Sequence, residues 1–211
     1  MTNMESIYES ILNGKYKDVV IFTNAALEEN ASPKDIIDNY MIKAMEEIGR
    51  RFEQQEAFVP DLLMSGRAMK ASLNILQPLL KDSSSAFVGK IVIGTVKGDL
   101  HDIGKNLVAS MFEGCGFKVI DLGIDVDTNK FIQAIKEHNA DILGMSALLT
   151  TTMPYMKMVI DALTEAGLRD KVKVMVGGAP VSAKFASEIG ADGYSDNANL
   201  AVINAKEWIN T

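Results

Sequence analysis

Residues 90–106 read KIVIGTVKGDLHDIGKN. The first seven, Lys90 to Val96, form a short apolar run of the kind that becomes a buried strand. The segment Gly98 to Asn106 follows directly, and Ile103 to Cys115 resumes at helical spacing. A strand, a loop and a helix in this order begin a βαβ unit. The loop then lies at the carboxyl end of its strand, where sheets of this kind bind ligands.

The same alternation continues downstream. Further strands are predicted at Lys118–Leu122, Asp141–Ser146 and Lys171–Val176, with a short one near Gly193–Tyr194. Helices are predicted at Thr128–His138, Met153–Ala166 and Val181–Ile189, with a last one running to Trp208. The pattern implies an α/β fold: a Rossmann-like (flavodoxin-like), five-stranded parallel sheet with helices on both faces.

Upstream of residue 85 every apolar pattern is helical. Met4 to Leu12 and Lys17 to Glu28 form two helices. Ser32-Pro33 opens a third, with Ser32 as N-cap and Pro33 at the first helical position. Ile36, Ile37, Tyr40, Met41, Ala44, Met45 and Ile48 then recur at helical spacing. Val59-Pro60-Asp61 opens a fourth helix with Leu62, Leu63, Met69, Leu73 and Leu76 available for burial, and Pro78 marks its end. These helices predict a four-helix bundle over residues 1–85 that includes a serine-rich linker, Lys81 to Ser85. Residues 86–211 form the sheet domain.

The whole chain has 211 residues, a formal net charge of −7, two histidines, 12 methionines and one cysteine. Its 47% hydrophobic and 23% charged residues exclude a largely disordered chain. One cysteine excludes an internal disulfide framework. With no secretory pattern after Met1, it points to a reducing cytoplasm. No segment approaches the roughly 18 apolar residues of a membrane span. The acidic balance argues against nucleic-acid binding, which needs a basic face.

Asp99 and His101 carry the most chemistry. A carboxylate bonded to one imidazole nitrogen fixes the tautomer and makes the other nitrogen a better metal ligand. On these residues alone, the pair is either such a site or a capping aspartate beside a solvated histidine. No neighbouring cluster completes a zinc site. Two other segments also end strands: Ser146-Ala147-Leu148 with the threonines that follow, and Gly177-Gly178. Between Gly104 and Ser146 lie 41 residues, and between Leu148 and Gly177 lie 28. All three segments are expected to converge on one crevice. Lys97 and Lys105 flank the first and either meet phosphate or amide groups of a ligand or, by default, are solvated cations. Cys115, beside Leu107, Met111 and Phe112, is expected to be buried and structural. His138 suits a helix C-terminus.

Asp-x-His-x-x-Gly, Ser-x-Leu and Gly-Gly at these separations resemble the signature of corrinoid (cobalamin-binding) methyl-carrier proteins. Phe58 to Met69 resembles the last helix of the methyl-cobalamin cap module, and the chain is similar to the cap plus cobalamin-binding modules of cobalamin-dependent methionine synthase. The resemblance implies a cobalamin or related corrinoid, with His101 as lower axial ligand to cobalt. Asp99 would hydrogen-bond His101, and Thr152 would extend the relay. Asp102, Ile103, Gly104, Ser146, Leu148, Thr150, Gly177, Gly178 and Tyr194 would line the cofactor site. Phe58, Leu62 and Met69 are either cap surface or bundle core, and Met64 and Met69 are candidates to face the corrin.

The partners implied are a substrate-specific methyltransferase, a methyl-acceptor methyltransferase acting on coenzyme M or tetrahydrofolate, and a reductive activation protein. The same signature serves adenosylcobalamin mutases and cobalamin-dependent sensors. A bundle-like cap argues against the first, and the lack of a basic DNA-reading helix against the second. A flavodoxin-like binder of another nucleotide is disfavoured, because no glycine-rich phosphate loop follows the first strand.

Overall fold

Five parallel strands in the order β2-β1-β3-β4-β5 build the C-terminal half. The structure, a computed structural model, describes residues 2–80 and 87–209. The serine-rich segment Lys81 to Ser85 lies outside the described residues. By internal contacts the chain divides into a helical unit, residues 1–87 with 110–116, and a sheet unit, residues 88–109 with 117–211.

The helical unit contains α1 (Asn3–Leu12), α2 (Tyr16–Glu28), α3 (Pro33–Ile36), α4 (Ile42–Glu53) and α5 (Val59–Leu76). Thr2 and Glu5 close a capping box on α1. Ser32 stands at the N-cap of α3, yet its side chain makes no capping bond. The expected third helix is not uniform. A π-helical turn, Ile37–Met41, joins α3 to α4, and the Ile42 N–H reaches the Ile37 carbonyl. Ile36, Ile37, Met41, Ala44, Met45 and Ile48 are buried as their spacing implies. α2 packs on α5. Between them the Thr23 and Ser72 hydroxyls, both fully buried, lie 2.7 Å apart. α5 ends at Leu76, before a 3₁₀ turn that contains Pro78. Leu62, Leu73 and Leu76 are buried, whereas Leu63 is exposed and not in the core.

In the sheet unit β1 (Lys90–Thr95) leads to α6 (Ile103–Gly114), and β2 (Lys118–Asp121) to α7 (Thr128–His138). β3 (Ile142–Ser146) leads to α8 (Pro154–Glu165), β4 (Lys173–Gly177) to α9 (Ala183–Ile189), and β5 (Gly193–Tyr194) to α10 (Ala198–Ile209). The predicted elements are all present, with ends moved by up to about two residues. Central strands buried on both faces account for the unbroken apolar runs. Val92, Phe131, Leu143, Val159 and Val174 belong to one core, and burying each contributes roughly 1.5–3 kcal/mol. No described helix is long and apolar enough to cross a membrane.

Candidate functional site

Register brings the three motif segments together. Thr95 pairs with Ser146, and Ser146 with Gly177, so β1, β3 and β4 end level with one another. The chain leaves β1 toward β2 on one side and re-enters at β3 on the other. The ends of β1 and β3 therefore flank the point where the winding reverses, which is where open sheets of this order bind ligands.

Asp99 sits in the loop after β1 and is fully buried. Its Oδ1 accepts the His101 backbone N–H at 3.1 Å and lies 2.7 Å from His101 Nδ1. Its Oδ2 accepts the backbone N–H groups of Leu148 at 2.8 Å and Leu149 at 3.2 Å, and lies 2.7 Å from the Thr152 hydroxyl. That hydroxyl is also 2.9 Å from the Leu149 carbonyl. With one proton to give, it favours the charged oxygen. Burial alone pushes the Asp99 carboxyl up. The bonds from Thr152, His101 and the Leu148 N–H outweigh this and hold it well below the usual carboxylate range. An ionised carboxylate only accepts, so in the neutral imidazole Nδ1 carries the proton and Nε2 keeps a lone pair. The His101 side chain is 51% exposed.

The capping alternative for Asp99 therefore fails, because the N–H groups it binds beyond its own loop follow β3 rather than open α6. The Thr95 hydroxyl adds a bond to the His101 carbonyl at 2.9 Å, a support the sequence pattern did not mark. Lys105 departs from expectation. It is not solvated: its side chain is 1% exposed and ion-paired with Asp121 at 2.5 Å, with Asn106 Oδ1 at 2.6 Å. A buried ammonium needs such a partner.

The remaining candidates divide by location. Asp102, just before α6, accepts the Asn106 side-chain amide. Ile103 is 85% exposed, and Leu100 and Leu148 in the motif loops are also exposed apolar side chains. A Cβ at Gly104 or Gly177 would meet nothing within 4 Å. Gly178, at φ +126°, is different: a Cβ there would stand 1.9 Å from the Ala147 carbonyl oxygen. Ser146 is half-buried and Thr150 exposed. The Tyr194 hydroxyl bonds Asp196 at 2.9 Å. In the helical unit Phe58 and Met64 are exposed, but Leu62 and Met69 are buried. The expectation that Met69 faces a corrin is thereby corrected, since its side chain has no exposed surface.

Among the described residues no group of three His, Cys, Asp or Glu side chains could hold a metal ion. A metal bound at His101 must bring most of its ligands with it. Open space beside Gly104 and Gly177, exposed apolar side chains and one imidazole with a fixed tautomer fit a large, flat macrocycle. Residues 89–203 match the B12 binding domain family, and residues 4–77 match a second B12 binding domain family. The chain is 44% identical over 207 residues to a dimethylamine corrinoid protein of Methanosarcina barkeri, covering 98% of this chain and 97% of that one.

The chain belongs to the B12-binding corrinoid proteins. This corrinoid protein is also similar to a solved cobalamin-binding protein from Desulfitobacterium hafniense DCB-2. There the TM-score is 0.81 and the identity 33%, over 97% of this chain and 98% of that one. It further resembles a chain of the methanol:cobalamin methyltransferase complex of Methanosarcina barkeri. The TM-score is 0.89 and the identity 31%, over 99% of this chain and 80% of that chain. The cofactor of the corrinoid protein is a cobalamin or related corrinoid.

Proposed function

We propose that this corrinoid protein shuttles a methyl group between two partner enzymes. A substrate-specific methyltransferase loads it, and a methyl-acceptor methyltransferase unloads it onto coenzyme M or tetrahydrofolate. The similarity to a dimethylamine corrinoid protein and to a chain of a methanol methyltransferase complex supports a small methylated amine or alcohol as donor. A reductive activation protein is the third partner, and the cytoplasm the place of work. The chain carries the cofactor and completes no active site alone.

The observation that carries this reading is the saturated, buried carboxylate of Asp99 behind His101. When bound, the corrinoid supplies a cobalt centre that takes up and releases a methyl group. His101 would offer Nε2 to the cobalt, because Asp99 keeps the proton on Nδ1. Asp99 Oδ1 would hold the His101 Nδ1 proton, and Thr152 the second carboxylate oxygen, so the imidazole would be oriented toward the cofactor. Gly104 and Gly177 leave open space for it, and Ser146, Leu148 and Thr150 would line the same edge.

Reconstitution with hydroxocobalamin, followed by absorption spectroscopy, tests the site. The wild-type protein is expected to show an imidazole-ligated spectrum, and His101→Ala a different one. Identical spectra remove His101 as ligand. Methyl transfer to the reduced, reconstituted protein from methylamine or methanol methyltransferases tests the carrier role. Adenosyl-dependent rearrangement without methyl transfer overturns it.

A further inference from the structure

The loop after β2 grips the His101 loop at a residue to which neither motif nor family pattern assigned a role. Asp125 Oδ1 accepts the Gly98 backbone N–H at 2.8 Å. The Asp125 backbone N–H in turn bonds the Asp99 carbonyl at 3.0 Å. The two bonds bracket the peptide that orients the Asp99 side chain. Asp125 has φ +51°, a left-handed conformation unusual for a residue other than glycine, and Gly98 has φ +80°. Asp and Asn are the side chains best tolerated there. Lys97 Nζ lies 3.4 Å from Asp125 Oδ1, an exposed pair of small energetic weight.

We propose that Asp125 is a positioning residue for His101, acting through the backbone of Gly98 and Asp99. The loop after β1 is held from two sides. On one, Asp125 fixes the backbone of Gly98 and Asp99. On the other, Leu148, Leu149 and Thr152 fix the Asp99 carboxylate. Release of the first side lets the Asp99 peptide rotate, and Oδ1 then drifts from His101 Nδ1. The tautomer that leaves Nε2 free is no longer enforced. The inference rests on the proposed axial role of His101 for its consequence, but its geometry lies in this chain alone.

The test uses the full-length protein without corrinoid, labelled with 15N. Long-range proton–nitrogen spectra report the tautomer of each imidazole. Only two are present, so His138 is the internal reference. Amide exchange at Leu148 reads the far side of Asp99. Asp125→Gly removes the acceptor and keeps the left-handed backbone without strain, so the fold is preserved. In it the His101 tautomer is expected to become mixed, and Leu148 exchange to rise about tenfold. Asp125→Asn keeps an oxygen acceptor for Gly98 and is expected to retain both wild-type readouts, as is Lys97→Ala. Unchanged readouts in Asp125→Gly overturn the proposal. So does equal loss in Asp125→Gly and Asp125→Asn, which assigns the effect to charge rather than to the Gly98 bond. Hydroxocobalamin added to His101→Ala separately tests the axial ligand, so failure of that assignment is distinguishable from failure of this one.

Discussion

Thr152 sets its hydroxyl 2.7 Å from Asp99 Oδ2, the carboxylate oxygen that His101 Nδ1 does not use. One buried carboxylate thus joins an imidazole at the end of β1 to a hydroxyl in the loop after β3.

Removal of that hydroxyl has a defined cost. Thr152→Val keeps the shape and leaves Asp99 Oδ2 with only the two backbone N–H donors. Unfolding by denaturant is expected to show a loss of about 1.5–3 kcal/mol, the range for a bond to a charged group. Thr152→Ser is expected to lose less than about 1 kcal/mol, one methyl. A smaller loss in Thr152→Val than in Thr152→Ser would assign the effect to packing instead.

Acid acts on the same group. Asp99 is more acidic in the folded chain than in the unfolded one. The folded state then binds fewer protons, so its stabilisation by Asp99 is full above the unfolded value of about 3.9. It is lost progressively as the pH falls below that, toward the lower folded value. Asp99→Asn is expected to be less stable than wild type at pH 7 and to show a flatter stability profile below pH 5. A parallel profile for the two proteins would contradict the assignment.

The neighbouring glycines are expected to behave oppositely. Gly178→Ala forces a Cβ against the Ala147 carbonyl at a positive φ, and a loss of about 2–4 kcal/mol follows from strain and overlap. Gly177→Ala meets open space and is expected to melt within a few degrees of wild type. Its hydroxocobalamin affinity is expected to fall, because the methyl enters the space proposed for the cofactor. Unchanged affinity in a stable Gly177→Ala would place the cofactor elsewhere.

The pair Lys105 and Asp121 is asymmetric. The Lys105 side chain is 1% exposed and that of Asp121 38%. Lys105→Met removes the buried charge, and Asp121 regains water, at an expected cost of about 1–2 kcal/mol. Asp121→Ala strands the buried ammonium and is expected to cost about 3 kcal/mol or more. Thermal unfolding of both variants checks the order, and the reverse order would mean that Lys105 reaches water.

Much of this was legible in residue spacing. Short apolar runs separated by helical stretches specified a parallel sheet, because strands buried on both faces carry no polar alternation. Asp99 and His101, two positions apart after the first strand, marked the site. The bundle core was legible from Ile36 to Ile48, but its π-helical turn was not. A π turn adds one residue to a bonded ring and leaves the apolar spacing nearly unchanged. Spacing also placed Leu63 and Met69 alike on an apolar face, although only Met69 is buried.

By itself the sequence determined the element types, the strand-end position of the motif loops and, through its two histidines, which imidazole is available. Only the tertiary structure decided the level ends of Thr95, Ser146 and Gly177, the burial of Lys105, and the donors that saturate Asp99. The donors on its Oδ2 lie 49 to 53 residues from Asp99 along the chain. Local periodicity records which face of an element is buried. Sheet order and register decide which loops meet, and a carboxylate is tuned by every group it meets, near or far in sequence.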